Sequence, residues 1–429
     1  MTNSELLQLL RSEVIPAIGC TEPIAVALCV ARAKELLGCE PDAITVYLSK
    51  NVYKNALAVG IPNTGMTGLP IAIALGATVG KSAYMLEVLR DATPEAVAYA
   101  KEYMLRVPAQ IHINYEAPSI LYIHAEVRKG DKMAQATIVD EHTNFVESEN
   151  GKLKGERLEA RGDGLEEKGE ALSLHRVYEF ATSVETSELT FLLEGAEMNT
   201  AAAETSFANQ YGHGLGRLLR ANTLTATPEM EKLFGNTLFT KIISYTCGAC
   251  DARMSGDMVQ VMSNSGSGNQ GISCSIPVYL YAKENNCTEE QALRALALSN
   301  LTVIYIKQSL GRLSALCGCV VAATGSAAGI TYLMGGTYDE ITYAIKNMIA
   351  NISGMICDGA KPGCALKVTS GVATAIFSAY LAMQHSYADS TEGIVEDDID
   401  RTIRNLTRIG HDGMKVTDDL ILDIMTHKQ

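Results

Sequence analysis

Three cysteines stand at glycine-containing breaks in the chain. Cys20 lies in Gly19-Cys20-Thr21-Glu22-Pro23, Cys317 precedes Gly318-Cys319, and Cys357 heads a loop that runs through Asp358, Gly359, Lys361 and Gly363 to Cys364. They are far apart in sequence, so only the fold can gather them. Gathered, their thiolates are ligands for an iron–sulfur cluster. Cys20 precedes a predicted helix, where unpaired N–H groups and the helix dipole favour an anion. That setting lowers a thiol's pKa and makes a thiolate available as ligand or base, although a small residue in a tight turn explains the position equally well. Cys317 and Cys319 cannot easily place both sulfurs on one cluster, so one of them is structural. Lys361 adds positive charge beside any thiolate of the Cys357 loop. Cys247-Gly248-Ala249-Cys250 is more conspicuous but lacks the second pair or histidines of a zinc site and the βαβ setting of a thiol oxidoreductase.

A second feature is the run from Ser263 to Gly271. Its glycines let backbone N–H groups approach an anion and its polar side chains add donors, which assigns substrate binding to Ser265, Gly266, Ser267, Gly268, Asn269 and Gln270. No Gly-Lys-Ser/Thr follows, so a carboxylate suits the segment better than a nucleotide. Asn63 to Gly68 is a smaller segment of the same kind. His213, between two glycines, reads as a polar turn residue. Nucleophile-elbow, zincin, dinucleotide and kinase patterns are absent.

These residues need a scaffold, and the composition describes one. The chain has 429 residues, is 47% hydrophobic and 20% charged, and contains 6% aromatic residues and no Trp. That is enough apolar material for a large core, and the many Ala and Gly residues suit closely packed helices. A net charge of −14 without a basic run excludes a nucleic-acid partner. The first residues have neither the basic start nor the apolar core of a signal peptide. The most apolar stretch, Leu301 to Gly335, is interrupted by Lys307 and Arg312 and reads as buried helices rather than a membrane span. A cytoplasmic protein with no membrane partner is expected. Its eleven cysteines are then reduced, several of them plain core residues.

Along the chain, a first helix capped at Asn3 or Ser4 ends at Pro16 and Gly19, and a second starts with Thr21 as its cap and runs to Gly38. Between Asp42 and Lys154 the texture changes to alternating strands (Ala43 to Leu48, Gln110 to Tyr115, Ile120 to Val127, Met133 to Val139). Turns fall at Lys129 to Asp131 and Glu149 to Gly151, and helices at Leu69 to Leu75 and Pro94 to Leu105. Glu156 to Glu170 reads as a linker, and beyond Leu172 nearly everything has helical period. The expected architecture is α+β: a large helical catalytic domain made of 1–41 and 172–429, with a smaller α+β domain, 42–155, inserted between its parts.

Taken together, Gly19 to Pro23, Gly266 to Gly271, the Cys317-Gly318-Cys319 segment and Cys357 to Lys361 resemble the L-cysteine desulfidases and their bacterial relatives over essentially the whole chain. A more distant similarity is to the iron–sulfur L-serine dehydratases, in which a cysteine also stands about forty residues before a Cys-Asp-Pro segment. The resemblance implies an oxygen-sensitive 4Fe–4S cluster and no pyridoxal phosphate. By similarity Cys317 and Cys357 map to cluster ligands, Cys20 to a third functional cysteine as ligand or catalytic base, and Cys364 to a further ligand. Cys364 follows Cys357 more closely than its counterpart does, and the tail Thr426-His427-Lys428-Gln429 has no cysteine. This departure fits a cluster with one iron open to substrate.

The reaction implied is β-elimination from a small L-amino acid, with cysteine preferred and serine the alternative. A non-catalytic amino-acid-binding relative is the reading from another class. The Ser263 to Gly271 loop would grip the carboxylate. A homodimer, and a regulatory role for the α+β domain, are implied by the resemblance alone.

Overall fold

The computed structural model describes residues 1–146, 148–149, 152–153, 172–225 and 227–428. The predicted linker at 156–170, and Asn150 and Gly151 of the predicted turn, fall outside them. The described chain is mainly helical. Its elements begin with α1 (Asn3–Glu13), β1 (Pro16–Ile18), α2 (Thr21–Leu37), β2 (Ala43–Leu48), α3 (Lys50–Ala56), α4 (Leu69–Thr78) and α5 (Pro94–Arg106). Strands β3 (Gln110–Ile113), β4 (Tyr122–Lys129), β5 (Lys132–Val139), β6 (Ser148–Glu149) and β7 (Lys152–Leu153) follow. Then come α6 (Leu174–Ser183), α7 (Thr190–Ala208), α8 (Leu215–Thr225), α9 (Pro228–Phe234), α10 (Leu238–Met254), β8 (Gln260–Met262) and α11 (Gly268–Glu284). The chain closes with α12 (Glu289–Leu310), α13 (Gly318–Leu333), α14 (Tyr338–Ile352), α15 (Cys364–Met383), α16 (Ile399–Arg408) and α17 (Lys415–Thr426).

Sequence chemistry sets the helix ends. Thr2, rather than Asn3 or Ser4, caps α1 and forms a capping box with Glu5. Thr93 caps α5 ahead of Pro94, and Gly38 ends α2 in the left-handed conformation. Cys20, not Thr21, occupies the N-cap position of α2, and its side chain makes no capping bond.

β3, β2, β4 and β5 form one sheet in that order, with β2 parallel to β3 and antiparallel to β4. The β4–β5 hairpin turns at Gly130, as its sequence predicts. α2 packs on this sheet and α4 packs on α2, and Ile24, Leu28 and Val30 of α2 share a core with Val46, Ile123 and Ile138. α1 packs with the large helical core through Leu6 and Leu10, whereas α2 belongs to the core of the sheet. β1 pairs antiparallel with β8, tying the start of the chain to the segment ahead of α11.

The helical part centres on α11, α12 and α13, which are buried on nearly every side. Each large aliphatic side chain removed from water there contributes about 1.5–3 kcal/mol. α11 carries Pro277 in its interior. Proline has no N–H, so the Ser273 carbonyl one turn earlier lacks its helical donor. The Ser326 hydroxyl of α13 donates to that oxygen at 2.6 Å and so satisfies it. Among the described residues α15 is the one helix whose length and composition would allow it to cross a membrane; 44% of its apolar window is buried within the fold.

Candidate active site

The segment from Ser263 to Gly271 is a strand end, a tight turn and the first turn of α11, not a free loop between helices. Most of its polar groups hold the turn in place. Ser263 N–H and Oγ both donate to the Ile15 carbonyl, and Ser265 N–H donates to Glu13 O. Ser265 Oγ donates to Asn264 Oδ1, and Asn264 Nδ2 reaches Asn300. Asn269 is occupied by Arg253 Nη1 at 2.9 Å and by Met254 Sδ. Ser267 occupies the N-cap position of α11 without a side-chain cap bond. Of the six residues assigned to substrate binding, Gln270 is the one with a buried side-chain atom, Oε1, that has no hydrogen-bond partner among the described residues. The first N–H groups of α11, from Gly268 to Gln270, have no carbonyl four residues back inside the helix.

Two glycines show how tightly the turn is embedded. Gly266 is left-handed (φ +77°), and a Cβ there would sit 3.1 Å from the His142 ring and 3.3 Å from Arg312 Nη1. A Cβ on Gly268 would sit 2.3 Å from Arg253 Nε. The turn is therefore flanked by His142, Arg312 and Arg253, none of which the sequence reading had assigned to the site.

Cys20 begins α2 on another side of this region. Its thiol donates to Glu22 Oε2 at 3.2 Å. Burial, the Glu22 charge and that hydrogen bond push the Cys20 pKa well above its ordinary value, with Arg253 opposing. The expectation that a helix N-terminus makes Cys20 a ready thiolate is corrected: desolvation and a neighbouring carboxylate outweigh the dipole. Glu22 is itself buried. Burial alone would raise its pKa, but His142, the Cys20 thiol and backbone hydrogen bonding hold it down to about 2. Thr21 Oγ1 donates to Oε2 at 3.0 Å, and Asn55 Nδ2 donates to Oε1 at 3.2 Å. His142 Nε2 stands 3.9 Å from Oε1.

Cys317 and Cys357 flank a single antiparallel bridge between Leu316 and Ile356. Cys317 N–H donates to Met355 O at 2.9 Å, and Cys357 N–H to Ala315 O at 2.7 Å. The Cys319 thiol hydrogen-bonds Cys317 and draws its pKa below the ordinary thiol value, against burial. Burial and then Cys317 raise Cys357, while Lys54 and Lys367 pull it back. Cys364, at the start of α15, is raised to about 11 by burial and by Cys357 and Cys317. Cys250 lies closer to this group than the sequence suggested. Burial raises it most, and Cys364 is the next cause. His213 sits beside Asp251 and Gly363 at the same edge.

Two lysines connect the cysteine group to the Cys20–Glu22 group. Lys54 Nζ is 3.4 Å from the Cys357 carbonyl and pairs with Asp418, while the next residue, Asn55, bonds Glu22. Lys307 is pushed down to about 8 by burial and Arg312, with Cys357 and Glu22 opposing. Gln270 closes the circuit, since a Cβ on Gly318 would touch its side chain at 3.2 Å. Cys317, Cys357 and Cys364 thus come together, and Cys20 faces the same region through Glu22, Arg253 and the lysines.

The donor set suits an iron–sulfur cluster: thiols from two separated segments, with lysines placed to offset thiolate charge. Among the described residues no three His, Cys, Asp or Glu side chains could share a single metal ion. A cluster takes one thiolate at each iron and does not need that convergence.

A family model described as the serine dehydratase alpha chain matches residues 75–423, a span that leaves out Cys20, Thr21, Glu22, Lys54, Asn55 and the Asn63 to Gly68 segment. The chain belongs to this family. It is also 56% identical to a UPF0597 protein of Phocaeicola vulgatus over 99% of this chain and 98% of that one. Identity is 55% with a UPF0597 protein of Bacteroides fragilis over the full length of both, and 43% with one of Oleidesulfovibrio alaskensis over 99% and 98%.

Nothing in the sequence marks the burial of Glu22, Asn55, His142 and Arg253, and Lys307 alone stands out, as a charge within an apolar run. Glu22 in a first helical turn reads as an exposed dipole partner, and Asn55 lies on α3, a short helix the sequence reading did not include.

Proposed function

We propose that the protein is a lyase that eliminates the β-substituent of a small L-amino acid. The observation behind this reading is the gathering of Cys317, Cys357 and Cys364 near Cys20, Glu22 and the start of α11. L-cysteine is the preferred substrate because of the motif resemblance, with hydrogen sulfide, pyruvate and ammonia as products. Membership of the serine dehydratase alpha-chain family favours L-serine as the second reading.

In the reaction the Cα–H and Cβ–S (or Cβ–O) bonds break and a Cα=Cβ bond forms. The enamine tautomerises to an imine, which water hydrolyses to pyruvate and ammonia. Cys317, Cys357 and Cys364 would hold a 4Fe–4S cluster, whose chemistry when bound is that of a Lewis acid. The first N–H groups of α11 receive the substrate carboxylate, as helix N-termini receive anions. Cys20 moves the proton. For its sulfur to accept the α-proton, its own proton must first leave, and Glu22 Oε2 at 3.2 Å is the acceptor within reach. The resting pKa order opposes that transfer, and Arg253 is the neighbouring cation that favours the thiolate.

The test is anaerobic purification followed by absorbance in the thiolate-to-iron region and pyruvate measurement with L-cysteine and L-serine. A brown protein that forms pyruvate is expected. Colourless, inactive protein after reconstitution with iron and sulfide would overturn the proposal.

A further inference from the structure

Glu22 Oε2 is fully engaged by Cys20 and Thr21, whereas Oε1 faces a different set of atoms. Asn55 Nδ2 donates to Oε1 at 3.2 Å, which fixes the orientation of the amide, because a carboxylate can only accept. The other end of that amide, Oδ1, is buried and has no hydrogen-bond partner among the described residues, and Asn55 is 8% exposed. His142 is 5% exposed, and its Nε2 also lacks a hydrogen-bond partner among the described residues. At 3.9 Å from Glu22 Oε1 it is too far for a direct hydrogen bond. Glu22 Oε1, the orphaned oxygen of the amide that bonds it and the orphaned imidazole nitrogen 3.9 Å away are three buried acceptors, and the two orphans cost stability while unsatisfied. The group that satisfies all three at once is a primary ammonium, with one positive charge and three N–H donors. To receive it, His142 gives up the donor role by which it lowers the Glu22 pKa in the free protein and presents Nε2 as an acceptor, in the tautomer protonated on Nδ1.

We infer that Glu22 Oε1, Asn55 Oδ1 and His142 Nε2 form the receptor for the α-ammonium group of the substrate. The inference rests on the amino-acid lyase reading and extends it. The carboxylate end of the substrate belongs to α11, and the ammonium end to α2, α3 and the turn after β5. That turn lies at the sheet end of the fold: Val139 and Asn144 close it, and Glu141 pairs with Arg312 at 3.6 Å. The sheet therefore contributes a binding group directly to the pocket.

A non-reactive pair of ligands isolates the ammonium. L-alanine has it and cannot eliminate; propionate is the same molecule without it. Calorimetric titration of the anaerobically reconstituted protein should show L-alanine binding about a hundredfold or more tighter than propionate, as a site built for a charged donor requires. Glu22→Gln and Asn55→Ala should each reduce that ratio to less than about tenfold while propionate binding is retained. The wild-type comparison stands if a variant does not fold. Equal binding of the two ligands by wild type, or an unchanged ratio in both folded variants, overturns the inference and leaves the lyase reading intact. Binding of neither ligand overturns the inference, whereas failure of the lyase reading shows separately as absent pyruvate formation.

Discussion

Cys20 donates its thiol to Glu22 Oε2 across 3.2 Å, and both groups are buried. The contact holds the cysteine in its protonated form and gives its proton a nearby acceptor. In the proposed reaction Cys20 is therefore the base and not a cluster ligand. Cys20→Ala is expected to retain the thiolate-to-iron absorbance and to lose about a hundredfold or more in pyruvate formation, the scale of a missing acid–base group. Loss of absorbance with the activity would instead make Cys20 a cluster ligand.

The cysteines around the Leu316–Ile356 bridge are expected to divide sharply. Cys357→Ala and Cys364→Ala should each remove the iron–sulfur absorbance. Cys250→Ala, which alters a fully buried residue on α10 behind Cys364, should keep it. Iron and sulfide analysis of the three purified variants checks the assignment, and a colourless Cys250 variant would redraw the ligand set.

Asp251 gives a pH signature independent of catalysis. Burial raises its pKa from an ordinary 3.8 to about 6 in the folded protein, against the backbone N–H groups of Gly216 and His213. Between those values the folded chain holds a proton that the unfolded chain has released. Stability from this group therefore falls as pH rises from about 4 to about 6 and then levels off. A shift of this size corresponds to up to about 3 kcal/mol. Asp251→Asn should melt higher than wild type at pH 7.5, with the gap closing near pH 4. A gap that does not change with pH would contradict the assignment.

Ser326 offers a structural test of α11. Ser326→Ala removes the donor to the Ser273 carbonyl that Pro277 leaves unpaired, at an expected cost of about 1–3 kcal/mol. Urea denaturation measures it. Pro277→Ala in the same background restores a helical N–H at that position and should recover much of the loss.

Much of the architecture was legible because its signals are local. The strands of the sheet, the Gly130 turn, α4 and α5 followed from alternation, turn residues and caps, and Cys317, Cys357 and Cys364 stood out at glycine breaks. The unread parts depend on long-range packing. Nothing local shows that α2, a near-uniformly apolar helix, would turn toward the sheet rather than the helical core. The polar run at Ser263 to Gly271 looked like a ligand loop, yet Ser263, Asn264 and Asn269 spend their side chains on Ile15, Asn300 and Arg253. His142 is a lone histidine after a strand, and nothing local shows that its ring ends 3.9 Å from Glu22.

The candidate pocket draws Cys20, Glu22, Asn55 and His142 from the first third of the chain and its thiol ligands from the last third. The proposed base and ammonium receptor are therefore written in one stretch of sequence and the proposed cluster ligands in another. Because every α-amino acid carries the same ammonium group, changes in α3 or in the turn after β5 would weaken the binding of all of them alike and would not redirect the protein from one to another.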